Sequence, residues 1–240
     1  MNKKNMKGKQ AREINRHLAV VWSDIGCSLS CLGHFERAID CFDKALELES
    51  HNASIWFNKG TCLDNAGRCE DALSCFDKAL ELDSHDASIW NNKGLSLEKL
   101  CRYEDALSCF DKALGLEPRS ADIGANKGGV LTSLGHYEDA LVCLEKALEL
   151  DPSLVGLWTN KGRILTSLGR YEDALRCFDE ELELDPDYVK AWFNRAAAEE
   201  GLSQWKDAVQ SYRQVLKLSP TQAGELFEIS RNRLQEMGEQ

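Results

Sequence analysis

The chain has 240 residues, 43% of them hydrophobic, and a formal net charge of −11, so it is long enough for one sizeable core or for a stacked array. The charge is uneven: residues 1–16 hold six Lys/Arg and one acid, a net +5, while residues 17–240 hold 23 Lys/Arg and 39 Asp/Glu, a net −16. An acidic body argues against a nucleic-acid-binding role, which needs clustered cations, and no apolar run approaches the ~18–20 residues that span a membrane.

The basic start, MNKKNMKGKQ, is expected to be a solvated tail, although its charge suits an anionic surface. No apolar stretch follows it, so a secretory signal is not expected, and the expected location is the cytoplasm. Residues 9–18 are helix-permissive and can extend a following helix backwards. Residues 1–18 are therefore expected to be a basic tail, partly disordered or helical.

From Ala19 onward one period of 34 residues organises the chain, in units 19–52, 53–86, 87–120, 121–154, 155–188 and 189–222. Numbering each unit 1–34, position 4 is Trp22, Trp56, Trp90, Gly124, Trp158 and Trp192. Position 8 is Gly26, Gly60, Gly94, Gly128, Gly162 and Ala196. Position 20 is Ala in all six units, and position 24 is Phe42, Phe76, Phe110, Leu144, Phe178 and Tyr212. Position 27 is Ala45, Ala79, Ala113, Ala147, Glu181 and Val215, and position 32 becomes Pro118, Pro152, Pro186 and Pro220 in the last four units.

Each unit predicts two helices. Trp56, Gly60 and Leu63 recur at about one helical turn and give one apolar stripe. Ala72, Leu73, Phe76, Ala79 and Leu80 give a second. Between them NAGRCE breaks the helix, with Gly67 suited to a left-handed C-cap, and the acids of "EDA" favour the positive end of the next helix. Proline at position 32 stops that helix. Small residues at positions 8, 20 and 27 let the helices approach, and no unit can bury both stripes alone, so the units must stack.

Three departures stand out. Unit four lacks the Trp and carries Gly124, Gly128 and Gly129 in its first helix, at roughly 1 kcal/mol per Gly relative to Ala. Glu181 occupies a small-residue position and needs a partner, for which Lys190 and Arg195 are the candidates. Unit six has Glu199 at an apolar position and Trp205 at position 17. Beyond it, residues 223–240 carry Leu226, Phe227, Ile229, Leu234 and Met237 among charges, as suits a helix capping the last unit, followed by a short tail.

The period, the Trp-Gly-Ala-Phe-Ala-Pro frame and the unbroken phasing over residues 19–222 resemble the tetratricopeptide repeat family. The resemblance implies an all-α fold, a right-handed superhelix of antiparallel helix pairs whose first helices line a concave groove. It implies a binding scaffold rather than an enzyme, with no cofactor. Position 6, which lies on the concave face in that family, is Asn58, Asn92, Asn126, Asn160 and Asn194. A carboxamide offers a donor and an acceptor together, so five of them could form a ladder along the backbone of an extended peptide, one rung per roughly three residues. The competing reading is that Asn belongs to the family frame and serves the fold.

Position 7 is Lys59, Lys93, Lys127, Lys161 and Arg195. These cations read better as side chains whose stems pack at unit junctions and whose heads meet neighbouring acids than as a ligand stripe. Position 5 supplies Phe57 and Phe193, which either anchor a ligand or pack on adjacent helices. The family's clamp for C-terminal carboxylates, Lys at 5 with Asn at 9, is absent, and Arg163 and Lys190 stand as isolated groove cations. The expected partner is a protein or an extended peptide segment, with the oligomeric state open. The alternative is a structural or self-associating module whose groove holds no peptide.

Cys41, Cys75, Cys109, Cys143 and Cys177 share one phase of the period. Stacked units place them roughly 10 Å apart, beyond the ~7 Å Cα separation a disulfide tolerates, so they read as small buried apolar residues. Cys27 and Cys31 are half of a possible soft-metal site, but no second pair has ligand spacing and the five His are scattered, so no metal is expected. No GxxxxGK[ST] phosphate loop occurs.

Overall fold

The computed structural model describes residues 3–218 and 224–238, with side chains from residue 12 onward. The helix stop expected at Pro220 lies outside the described residues. Among those residues there are thirteen helices and no strand. They are α1 (Lys3–Cys31), α2 (Phe35–Leu48), α3 (Ala53–Asn65), α4 (Cys69–Leu82), α5 (Ala87–Lys99), α6 (Tyr103–Leu116), α7 (Ala121–Ser133), α8 (Tyr137–Leu150), α9 (Leu157–Ser167), α10 (Tyr171–Leu184), α11 (Val189–Gly201), α12 (Trp205–Lys217) and α13 (Glu225–Glu236). The chain divides into two compact bodies, one ending at Pro118 with α1–α6 and one starting at Arg119 with α7–α13.

Within each body the helices pack as pairs, α1 on α2, α3 on α4, α5 on α6, and α7 on α8, α9 on α10, α11 on α12. In four of the six pairs a glycine at position 8 lies against a phenylalanine at position 24. A Cβ built on Gly60 would sit 2.7 Å from Phe76, and one on Gly162 would sit 2.5 Å from Phe178. Only hydrogen fits there, which is why the phenyl rings are almost wholly enclosed. The alanines at position 20 are wholly buried, as are those at 27 in the units that have them.

The turn inside each unit needs a left-handed residue at position 15. Gly67 supplies it at φ +79°; its N–H donates to the Asp64 carbonyl and that of Arg68 to the Leu63 carbonyl. Cys101 and Ser203 take the same place in units three and six at φ +58° and +59°, a conformation that costs a side chain roughly 1–2 kcal/mol.

The tryptophans tie each unit to the loop before it. The indole N–H of Trp56 donates to the Ser50 carbonyl (2.9 Å), Trp90 to Ser84 (3.1 Å), Trp158 to Pro152 (3.1 Å) and Trp192 to Pro186 (2.8 Å). The first helices α3, α5 and α7 open on Asn52, Asp86 and Ser120, whose side chains accept from the first-turn N–H groups.

At the equivalent place before α9 stands Leu154, which cannot cap, and here Glu181 intervenes. Its carboxylate accepts from the backbone N–H of Gly156 (2.8 Å) and of Thr159 (3.0 Å). Lys190 and Arg195 are therefore not its partners. A buried carboxylate is satisfied as well by helix N-terminal donors as by a cation. The helix starts two residues later than its counterparts, at Leu157 after Gly156 at φ +88°.

Glu199 is also buried, but it pairs with Arg195 (2.7 Å) and accepts from the Ser211 hydroxyl (2.7 Å). Trp205 is exposed. The last helix, α13, packs on α12 and α11. Its Arg233 bonds Glu200, which also accepts from the Tyr212 hydroxyl (2.8 Å).

Candidate peptide-binding face

The first helices lie side by side within each body, α1 and α3 against α3 and α5, and α7 and α11 against α9. Position 6 therefore recurs along one row. Asn58 and Asn92 fall on α3 and α5 of the first body, and Asn126, Asn160 and Asn194 on α7, α9 and α11 of the second. All five are half-buried. Asn92 Nδ2 donates to the Ser88 carbonyl (2.9 Å) and Asn194 Nδ2 to the Lys190 carbonyl (2.6 Å), each one turn back on its own helix. Their carbonyl oxygens are the acceptors left for another molecule.

Phe57 lies against the core of the first body, with its ring 6.1 Å from that of Phe76. Phe193 meets Tyr212 edge-on at 5.8 Å. Both rings are half-buried, so each keeps an accessible edge while its other side packs.

The cations fall into two sets. At position 7, Lys59 reaches Asp43 (2.5 Å), Lys93 reaches Asp77 (2.5 Å), Lys161 reaches Glu145 (3.0 Å) and Arg195 reaches Asp179 (3.0 Å). Each also lies 5.7–5.9 Å from the ring of the tryptophan three residues earlier. These side chains bind one unit to the one before it. Arg163 on α9 and Lys190 on α11 are different. Both are exposed, and among the described residues neither enters an ion pair. Arg163 opposes the rise in the Tyr188 phenol, which burial, then Glu181 and Asp185, push above its ordinary value.

The second body thus brings together Asn126, Asn160, Arg163, Lys190, Phe193 and Asn194 on three adjacent first helices. The first body presents Phe57, Asn58 and Asn92. Sequence reading passed over Asp64 at position 12, which accepts from the Ser96 hydroxyl (2.7 Å) and the Lys99 ammonium (2.5 Å), linking α3 to α5. An acid at position 12, with a hydroxyl at position 10 and an amine at position 13 of the next unit, was its signal. It also passed over Tyr188, whose hydroxyl would lie 3.0 Å from a Cβ on Gly156.

All ten cysteines are free thiols. Among the described residues no group of three or more His, Cys, Asp or Glu is placed to hold a metal ion. Nor, among the described residues, is any helix long and apolar enough to cross a membrane.

Residues 24–87 and 159–223 match one family model of the tetratricopeptide repeat, and residues 87–120 and 125–154 match another. None of the curated proteins matches. Among solved structures, YrrB, described as a TPR protein with an unusual peptide-binding site, is 27% identical with a TM-score of 0.62, covering 80% of this chain and 97% of that one. PilW, a type IV pilus biogenesis factor, is 19% identical with a TM-score of 0.79, covering 88% and 97%. PilF of Pseudomonas aeruginosa is 21% identical with a TM-score of 0.74, covering 87% and 94%. The last two likenesses are of fold alone.

Proposed function

The chain belongs to the tetratricopeptide repeat family, and on that premise we propose that it is a non-catalytic cytoplasmic scaffold that binds an extended peptide segment along its first-helix faces. The contrast between the two sets of cations carries this reading. Four of the position-7 cations are tied up with carboxylates, whereas Arg163 and Lys190 stand exposed on adjacent helices and, among the described residues, enter no ion pair. They flank Asn160, Phe193 and Asn194, so charge, amide and aromatic edge meet on one surface. YrrB, with its peptide-binding site, supports the same use of the fold.

In this reading the amides hold the peptide backbone, and Arg163 and Lys190 select acidic side chains. Phe57 and Phe193 offer apolar edges. The acidic body repels nucleic acid. The test is selection of peptides from a random library on the full chain, followed by affinity measurement on Arg163→Glu and Lys190→Glu. Selected peptides should be enriched in Asp and Glu and should bind each variant at least about tenfold more weakly, the loss of one charge-assisted bond. Peptides that bind both variants as well as the parent would overturn the reading.

A further inference from the structure

We infer that the outer face of α1 is the contact surface of a symmetric dimer, in which α1 of one copy lies antiparallel to α1 of a second. This inference is independent of the peptide groove, because the face in question does not carry the groove residues.

Ile14, Leu18, Val21 and Ile25 are 55%, 45%, 52% and 41% exposed. Their spacing of four, three and four residues confines them to an arc of about 60° at 100° per residue. Leu32, in the turn directly after α1, is more exposed still. The spacing of the four on α1 is that of a coiled-coil seam, in which each side chain enters a hole on a facing helix.

The other units show what such a face is built to meet. Position 3 is Ile55 in unit two and Ile89 in unit three, 3% and 1% exposed, on helices packed against the preceding second helix. Val21 holds the same position in unit one, where among the described residues α1 packs on α2 and α3 alone. Position 7 is a cation in every other unit, but here it is Ile25. An array end that faced only water would be polar, as end units generally are. This end has instead exchanged the unit's one junction cation for an isoleucine.

The other end of the chain is closed to this face. In a head-to-tail chain of copies α1 would follow a second helix as α3 follows α2, but α13 covers α12. An isologous contact of α1 with α1 is what remains, and it closes at two copies. Charge sets the direction. In the antiparallel register Ile14 of one copy faces Ile25 of the other, Leu18 faces Val21, and exposed His17 comes beside exposed Asp24. In this register the stretch 3–16 of each copy, +5 by sequence, runs along residues 23–36 of the other, whose charged residues are Asp24 and Glu36. A parallel pair would lay the two basic segments side by side.

The experiment is sedimentation equilibrium of the full chain from about 1 to about 200 μM, spanning the affinities typical of small interfaces. The parent should form a dimer, and Val21→Glu and Ile25→Lys should each weaken it at least about 100-fold. Both side chains are largely exposed, and Ile25→Lys installs the residue of the other units, so both variants should keep the parental monomer melting temperature at low concentration. Raising salt from about 50 to about 500 mM should weaken the parental dimer. A monomer throughout, a dimer that survives both substitutions, assemblies that grow beyond two copies, or association unchanged or tightened by salt would each overturn the inference.

Discussion

The carboxylate of Glu181 on α10 holds the backbone N–H of Gly156 at 2.8 Å and that of Thr159 at 3.0 Å, so it serves as the N-terminal cap of α9, a helix distant in sequence. A glutamine there has one acceptor oxygen in place of two and leaves a buried donor unsatisfied, at roughly 1–3 kcal/mol. Glu181→Gln should therefore lower the unfolding free energy by that amount, read as a lower urea midpoint at an unchanged m-value. Glu181→Ala, although it restores the residue of units one to four, should cost at least as much.

Glycines at positions 4 and 8 of the first helices should respond in opposite directions. Gly162→Ala forces a Cβ to within 2.5 Å of Phe178, an overpacking that costs roughly 1–3 kcal/mol. A Cβ on Gly124 meets Ala147 at 3.6 Å, an ordinary contact, so Gly124→Ala should stabilise the protein by up to about 1 kcal/mol. Thermal denaturation of the two variants under one condition checks the sign of each.

Hydrogen exchange should find α7 the weaker of two neighbouring first helices. It carries Gly124, Gly128 and Gly129 and no tryptophan, whereas Trp158 ties α9 to the Pro152 carbonyl. Local opening follows packing. Amides of residues 122–133 should exchange faster than those of residues 156–167, and equal protection would show that the glycines are compensated by their neighbours.

The helix pairs were legible in the sequence because their determinants are side-chain sizes at fixed phase. Gly162 facing Phe178, and Ala174 beside them, can be read as a close approach from the letters alone. The partner of Glu181 could not be read that way. Its donors are backbone N–H groups, which every residue but proline carries, so the cationic letters of the next helix, Lys190 and Arg195, drew the assignment. The candidate site was less legible for a related reason. The letter Asn fixes where an amide sits but not whether its Nδ2 turns back to a main-chain carbonyl, as those of Asn92 and Asn194 do. Likewise, Ile25 looks like a core residue, but among the described residues no second helix packs on its side of α1, and it faces outward.

Glu199 gives a pH test. Burial pushes its carboxyl above the ordinary value, with the Ser211 hydrogen bond and Arg195 opposing. The folded state therefore binds this proton more readily than the unfolded state does, and the group's contribution to stability falls as pH rises through the window above the ordinary glutamate pKa. Measured against Glu199→Gln, the parent should gain relative stability as pH is lowered from neutral through that window. A parent-to-variant difference that is flat with pH, or that grows the other way, would contradict this.

Thiol labelling should separate the cysteines by exposure. Cys31 and Cys101 are exposed, whereas burial pushes the Cys75 and Cys177 thiols up to about 11. Cys27 is half-buried and its thiol is also raised, by burial and then by Asp24. Since the thiolate is the reactive form, Cys31 and Cys101 should label first at mildly alkaline pH, Cys27 more slowly, and Cys75 and Cys177 only on unfolding. Peptide mapping after timed alkylation gives the order.

The asparagine ladder makes a demand that a purely structural amide does not. If the rungs share an extended backbone, affinity is spread over several of them, and each hydrogen bond is worth about 1 kcal/mol net. Asn160→Ala or Asn126→Ala should then weaken a selected peptide by several-fold to about tenfold with little change in melting temperature. Asn194→Ala should show the same loss of affinity, because its Nδ2 bond to Lys190 is a bond within one helix turn, and alanine is the better helix former. If the amides serve only the fold, the pattern reverses: stability drops while the folded fraction binds peptide as before. Affinity and melting temperature measured on the same three variants separate these outcomes, and stability loss without affinity loss in all three would remove the ladder.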